Sequence, residues 1–212
     1  MNKETSRIEA FSDGIFAVAI TLLALDIGVD IKGIEAHHRL EATTAKELLG
    51  QLTNLWPKIF AYFNSFASLL LIWMSHHQLF KLLRTTNNKL ILANGLLLLA
   101  VALVPFPTKT LGEFLGSDAQ KTAIVFYTGY SVVVAVLYLL VMAAAKSKAK
   151  NLFLPNVSVK GVQTISKGLE TGFFLCVMIF VISLFAPVVG LCLHFCMWIY
   201  WAVTAKDNET DH

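Results

Sequence analysis

The chain has 212 residues, 56% hydrophobic and 15% charged, with a mean hydropathy of +0.65, whereas water-soluble domains carry about 45–50% apolar and about 25% charged residues. So apolar a chain leaves little for a soluble domain and implies a multi-span membrane protein. The net charge of +3 is small and scattered, and no basic stripe is interleaved with aromatics, which excludes nucleic acid as a partner.

A spanning helix needs about 20 mainly apolar residues. Six such stretches follow one another, which predicts an all-α, six-transmembrane-helix subunit with residues 1–212 as a single transmembrane domain. The first span covers about residues 7–29; its apolar run is too long, and too polar at its start, for a secretory leader, so it is read as permanent. A polar loop follows, and Asn54 as cap with Pro57 behind it opens the second span, about 56–80. A turn at 85–88, too short to cross anything, leads to the third span, about 89–105, which ends at Pro105-Phe-Pro107. After a loop from 108 to 120 comes the fourth span, about 121–145, and then a linker carrying Lys146, Lys148, Lys150 and Lys160. The fifth, about 162–186, breaks at Pro187, and the sixth, about 188–205, returns as a hairpin.

Lys and Arg bias sets orientation. In this layout Lys3, Arg7, Lys81, Arg84, Lys89, Lys146, Lys148, Lys150, Lys160, Lys167 and Lys206 fall on one side, 11 in all, against 6 on the other: Lys32, Arg39, Lys46, Lys58, Lys109 and Lys121. Both termini are therefore expected in the cytoplasm of a cell whose plasma membrane the chain crosses several times. Nothing later in the chain repeats the first span, so any symmetry must come from several subunits.

The first span opens Arg7-Ile-Glu-Ala-Phe-Ser-Asp-Gly14 and then turns apolar. An ionised carboxylate near the bilayer centre costs about 2.5–3.5 kcal/mol on insertion scales, so Asp13 must be shallow, paired or facing water. At about 100° per residue, Val18, Leu22 and Leu25 form one narrow apolar stripe with Phe11, Gly14 and Thr21 at its edges, and Asp13 lies about 140° from Val18. The small Ala17 and Ala19 flank the stripe and let other helices approach. The helix thus carries two faces. Arg7, Ser12 and Asp13 are either a helix-start cluster, with Asp13 favoured by the dipole, or a hydrogen-bonded anchor whose partners lie at matching depth: Trp73, His76 and His77 in the second span and Asn94 in the third.

Other candidates carry less. Cys176, Cys192 and Cys196 sit in apolar runs and make no disulfide framework. His37-His38 and His76-His77 are adjacent pairs that point about 100° apart, with nothing to complete a metal site. In Cys192-x-His194-x-Cys196 the histidine falls on the far side of the helix from the cysteines, which reads as core packing. Glu170 reads as a cytoplasmic-surface group beside Lys167. No GxSxG, HExxH or P-loop pattern occurs, and no paired nucleophile and base, so no enzyme, metal or cofactor is expected.

Arg7-x-x-x-Phe11-Ser12-Asp13 in the first of six spans, followed by Trp73-x-x-His76-His77-x-x-Phe80 in the second, resembles the prokaryotic branch of the transmembrane protein 175 family of potassium-permeable channels. The resemblance implies a homotetramer of six-span subunits with the first helix of each lining a central pore. It carries the family's apolar constriction onto Val18, a pore-facing threonine onto Thr21, and the continuing wall onto Leu22 and Leu25. Relatives more often have isoleucine or leucine at the constriction, so valine leaves the tightness of the gate open. The motif residues Arg7, Phe11, Ser12 and Asp13 are expected to pack against Trp73 and His77, with Asn94 as a third partner.

No TVGYG-type loop is present, so a carbonyl filter is excluded and potassium preference must come from side chains. Stacked apolar rings gate by dewetting, and a slightly wider ring passes partly hydrated potassium, which sheds water more readily than sodium. A proton- or cation-coupled secondary transporter is the alternative, although the prolines sit at span ends and charges avoid the spans.

Overall fold

A computed structural model describes residues 3–25, 27, 45–147 and 152–204. Among them the chain forms eight helices: α1 (Lys3–Leu25), α2 (Ala45–Thr53), α3 (Trp56–Lys81), α4 (Asn88–Leu103), α5 (Pro105–Phe114), α6 (Gln120–Ala145), α7 (Val159–Phe185) and α8 (Pro187–Thr204). Five helical stretches are long and apolar enough to cross a membrane: Thr5–Leu25, Leu48–Lys81, Asn88–Phe114, Gln120–Ala145 and Val159–Phe185. Pro187–Trp201 is apolar but shorter.

Two boundaries differ from the sequence-based expectation. Asn54 does not cap α3; the N-cap is Leu55, which makes no side-chain cap bond. The reason is α2, which runs almost directly into α3, so that the capping amide finds a carbonyl in the turn before it, as Leu55 N–H does on Leu52. The expected loop from 108 to 120 is helical as far as Phe114. Proline lacks the N–H that a first helical turn leaves unused, so Pro105 and Pro107 end α4 and begin α5 at once. The Thr108 hydroxyl turns back onto the Val104 carbonyl at 2.8 Å, and Gly116, with φ of 90°, releases the chain after Leu115.

The larger core joins α1, α3, α4 and α6 through Phe16, Leu23, Leu69, Phe80, Leu97, Val101, Val134 and Val141. A smaller one, Ala61, Leu111, Ile124, Tyr127 and Leu191, sits where α3, α5, α6 and α8 meet. Gly112 of α5 lies so close to α3 that a Cβ there would stand 3.1 Å from Lys58 Cα.

One end of the subunit is tied by backbone. The α3–α4 turn and the segment before α7 form an isolated antiparallel bridge between Leu83 and Phe153. Arg84 N–H donates to Leu152 O at 2.7 Å and Leu154 N–H to Leu82 O at 2.9 Å, while Leu83 and Leu152 plug the core beneath. Ser158 caps α7 by accepting from Gly161 N–H at 3.0 Å. Nearby, Lys146 at the end of α6 bonds the Ser166 hydroxyl, which donates to Glu170 at 2.9 Å. Glu170 is thus reached from Lys146 through Ser166, with Lys167 exposed beside them.

The α7–α8 hairpin closes because Gly190 has no side chain: a Cβ there would collide with Ser183. Gly190→Val is expected to cost about 1–3 kcal/mol by overpacking and to lower the thermal melting point of the detergent-purified protein. Gly172→Ala, whose Cβ would meet nothing within 4 Å, serves as the control and is expected to leave it unchanged or raise it slightly, since alanine suits a helix interior better than glycine.

Candidate pore-lining helix and its anchor

Along α1 the buried positions are Thr5, Glu9, Ser12, Phe16, Ala19 and Leu23, spaced alternately four and three residues apart. Arg7, Phe11, Gly14, Val18, Thr21 and Leu25 repeat the same spacing on the opposite side, and all are exposed. Two faces separated in this way make one side of the helix a packing surface and leave the other bare. The buried side lies against α3 and α4 and touches α5.

The bare face holds every residue that the sequence assigns to a pore. Val18 is 57% exposed, Leu22 40% and Leu25 77%. Thr21 is exposed, and its hydroxyl donates to the Val18 carbonyl at 2.9 Å. Its one proton is therefore used inside the helix, and the oxygen offers only lone pairs outward.

The buried face is fastened by polar bonds over its first half. Thr5 Oγ1 donates to the Arg84 carbonyl at 3.4 Å, a long and weak contact. Glu9 Oε1 accepts from His77 Nδ1 at 2.8 Å, and Asp13 Oδ1 accepts from Trp73 Nε1 at 2.8 Å. Trp73 and His77, one turn apart on α3, stack with ring centroids 5.7 Å apart and planes 8° from parallel.

Between these bonds runs a chain whose direction is forced. The Ser12 hydroxyl donates to the Ile8 carbonyl at 2.8 Å, so its oxygen is free to accept from Asn94 Nδ2 at 3.1 Å. That orientation presents Asn94 Oδ1, an acceptor only, to His76 Nε2 at 2.8 Å. His76 must therefore carry its proton on Nε2. Its ring stacks on Phe80 at 4.3 Å and leans on Phe16 at 5.5 Å, and its Nδ1 has no hydrogen-bond partner.

The structure brings Ser12, Asp13, Trp73, His77 and Asn94 together, with a different membership from the one expected. Arg7 and Phe11 stay out: Phe11 is 65% exposed and Arg7 is exposed with them on the Val18 side, because a four-residue step keeps both on one face. Glu9 comes in, and His76, a candidate partner by depth, joins through Asn94. Glu9 lies three before Ser12 and four before Asp13, and reading that stripe back from Ser12 would have found it. His76 and His77 both bond α1-linked groups, each on its own side of α3.

A second buried cluster was not foreseen. Asn64 Oδ1 on α3 accepts from His194 Nδ1 and Trp198 Nε1 of α8, both at 3.2 Å, and His194 Nε2 meets Ser131 Oγ of α6 at 2.9 Å. Alongside, Ser65 Oγ pairs with Tyr127 Oη at 2.9 Å and lies 2.7 Å from Thr108 Oγ1 of α5, whose proton goes to the Val104 carbonyl. The expected core packing of the cysteines around it does not hold: His194 is the buried residue and Cys192 and Cys196 are exposed. An imidazole can be satisfied inside by two partners, so it takes the inner face and the thiols are left outside.

The family model described as the endosomal/lysosomal potassium channel TMEM175 matches residues 7–105, a stretch that contains α3, α4 and every bond of the α1 anchor from Glu9 onward. A potassium channel of Chamaesiphon minutus is 36% identical over 203 residues, which is 96% of each chain. The chain belongs to the TMEM175 family. The crystal structure of a lysosomal potassium-selective TMEM175 homolog from Chamaesiphon minutus superposes with a TM-score of 0.81 at 34% identity, covering 96% of this chain and 98% of that one. The human endosomal/lysosomal proton channel TMEM175 is 35% identical over 108 residues, 51% of this chain and 21% of its own length.

In this TMEM175 relative, Asn94→Leu is expected to strand His76 Nε2–H, at a cost of about 1–3 kcal/mol for the unpaired buried donor. Thermal unfolding in detergent measures it. Asp13→Asn keeps an oxygen for Trp73 Nε1 and is expected to melt closer to the parent than Asp13→Ala.

Proposed function

We propose that four copies of the chain assemble around an axis, with the bare face of α1 from each lining a potassium-preferring channel in a prokaryotic plasma membrane. The observation that carries the reading is the division of α1. One face is fastened to α3 and α4, and the opposite face is apolar, continuous from Phe11 to Leu25 and left exposed among the described residues. The alternating three- and four-residue spacing of that face suits a bundle of like helices packed nearly parallel. Relatives named as potassium channels supply the ion.

Around the axis Val18, Leu22 and Leu25 form stacked apolar rings. A narrow apolar ring disfavours a column of water and stops ions by dewetting; a ring of valines, smaller than leucine, closes less tightly. Four Thr21 oxygens, each with its proton already spent on a Val18 carbonyl, stand beside the ring as acceptors. A cation that has lost part of its water finds replacement oxygen there, and potassium, which gives up its water more readily than sodium, gains more. The cytoplasmic placement of both termini rests on the Lys and Arg distribution.

Liposome flux with purified protein tests the reading. Val18→Asn and Leu22→Asn are expected to raise cation flux by wetting the constriction, and Thr21→Val to lower the potassium-to-sodium ratio while Thr21→Ser preserves it. Unchanged flux and ratio in all of these variants overturns the pore assignment. Currents that vary linearly with voltage support a channel, whereas saturating flux that requires a counter-ion gradient supports the transporter. The human relative named a proton channel makes a pH gradient the second ion condition to measure.

A further inference from the structure

We infer that Gly14 is the point at which the pore helix bends when the channel opens and closes, a device that rests on the pore reading above. Every hydrogen bond from α1 to the rest of the subunit among the described residues comes from Thr5, Glu9, Ser12 or Asp13. From Ile15 to Leu25 there is none; the hydroxyl of Thr21 is satisfied within its own helix. What holds this second half is the apolar contact of Phe16, Ala19 and Leu23. In a bilayer such contact has little hydrophobic drive behind it, because the lipid tails that replace it are equally apolar.

Gly14 stands at the border, directly after Asp13. Packing within the subunit does not require a glycine there, since a Cβ would meet nothing within 4 Å. What glycine provides instead is a looser helix: relative to alanine it weakens the helical backbone at its own position. The chain therefore places its weakest helical residue between a half that polar bonds hold still and a half that carries Val18, Thr21, Leu22 and Leu25. The bend moves the constriction and leaves the anchor in register.

Gly14→Ala stiffens the helix and, by the ordinary glycine-to-alanine difference, shifts the balance between straight and bent α1 by about two- to fivefold per subunit. Single-channel recording is expected to show changed open and closed dwell times with unchanged conductance and ion preference. Adding Ala17→Gly, which restores a loose residue above the anchor, reverses part of the shift, and Ala10→Gly, inside the anchored half, does not. Dwell times equal to the parent's overturn the hinge. So does a fall in conductance with unchanged dwell times, which makes position 14 a steric element of the path, or loss of assembly, which makes it a close contact between copies. Should the parent carry no current, the pore reading falls by itself, and hydrogen exchange in detergent still decides the hinge. Gly14→Ala is then expected to slow exchange in residues 15–25 relative to 5–13, and equal exchange in both overturns the inference.

Discussion

The rotation of α1 is the constraint on which the rest depends, and a buried hydrogen-bond chain sets it. Ser12, Asn94 and His76 come from three helices and are all buried, so no water stands ready to replace a lost partner. Each bond has one possible direction: Ser12 gives its proton to Ile8, Asn94 gives its amide to Ser12, and His76 gives its Nε2 proton to Asn94. Turning α1 by one residue, about 100°, would break the Asn94–Ser12 bond, the link of the chain that joins α1 to another helix. Single bonds of this kind are worth only about 0.6–2 kcal/mol in membranes, but the Trp73–Asp13 and His77–Glu9 bonds flank the chain and act on the same rotation.

α3 is the member that both polar clusters share. His76 binds towards α1 and α4, and Asn64, twelve residues earlier and so about 18 Å along the helix, binds towards α8, with Ser65 beside it facing α5 and α6. Apolar packing between helices discriminates poorly in lipid, whereas a buried amide or imidazole accepts very few arrangements. One cluster positions the helix with the bare face. The other holds α5, α6 and α8 in place around α3. At one end the Leu83–Phe153 bridge ties the α3–α4 turn that receives Thr5 to the segment before α7.

Much of this was legible in the sequence because it follows from periodicity. The helices, the bare stripe on α1 and the depth match of Trp73, His77 and Asn94 need only the rise and rotation of a helix. What was not legible depends on tertiary register. A double proline reads as a stop, yet at α5 it also begins a helix, because Thr108 and Gly112 find α3 to pack on. His76 and His77 are neighbours in sequence and differ by about 100° in direction; which of them meets Asn94 is settled by how α3 and α4 cross. Arg7 and Phe11 share a motif with Ser12 but not its face, and a motif read as one unit hides that split.

The same geometry explains why a channel without a carbonyl filter needs so firm an anchor. A backbone filter carries its own geometry, because its oxygens are fixed by the loop that bears them. A side-chain pore inherits everything from the setting of its helices. On α1 the stripe beside Val18 is Ala10, Ala17 and Ala24, also exposed and seven residues apart. Under the proposed fourfold assembly, less than a third of a turn would exchange rings of valine and leucine for rings of methyl groups, opening a wide path that water fills and that distinguishes no ion from another. In the proposed tetramer the polar bonds of residues 5–13 therefore contribute to ion preference without touching an ion: they decide which stripe faces the axis, and the fourfold repetition of that choice makes a ring.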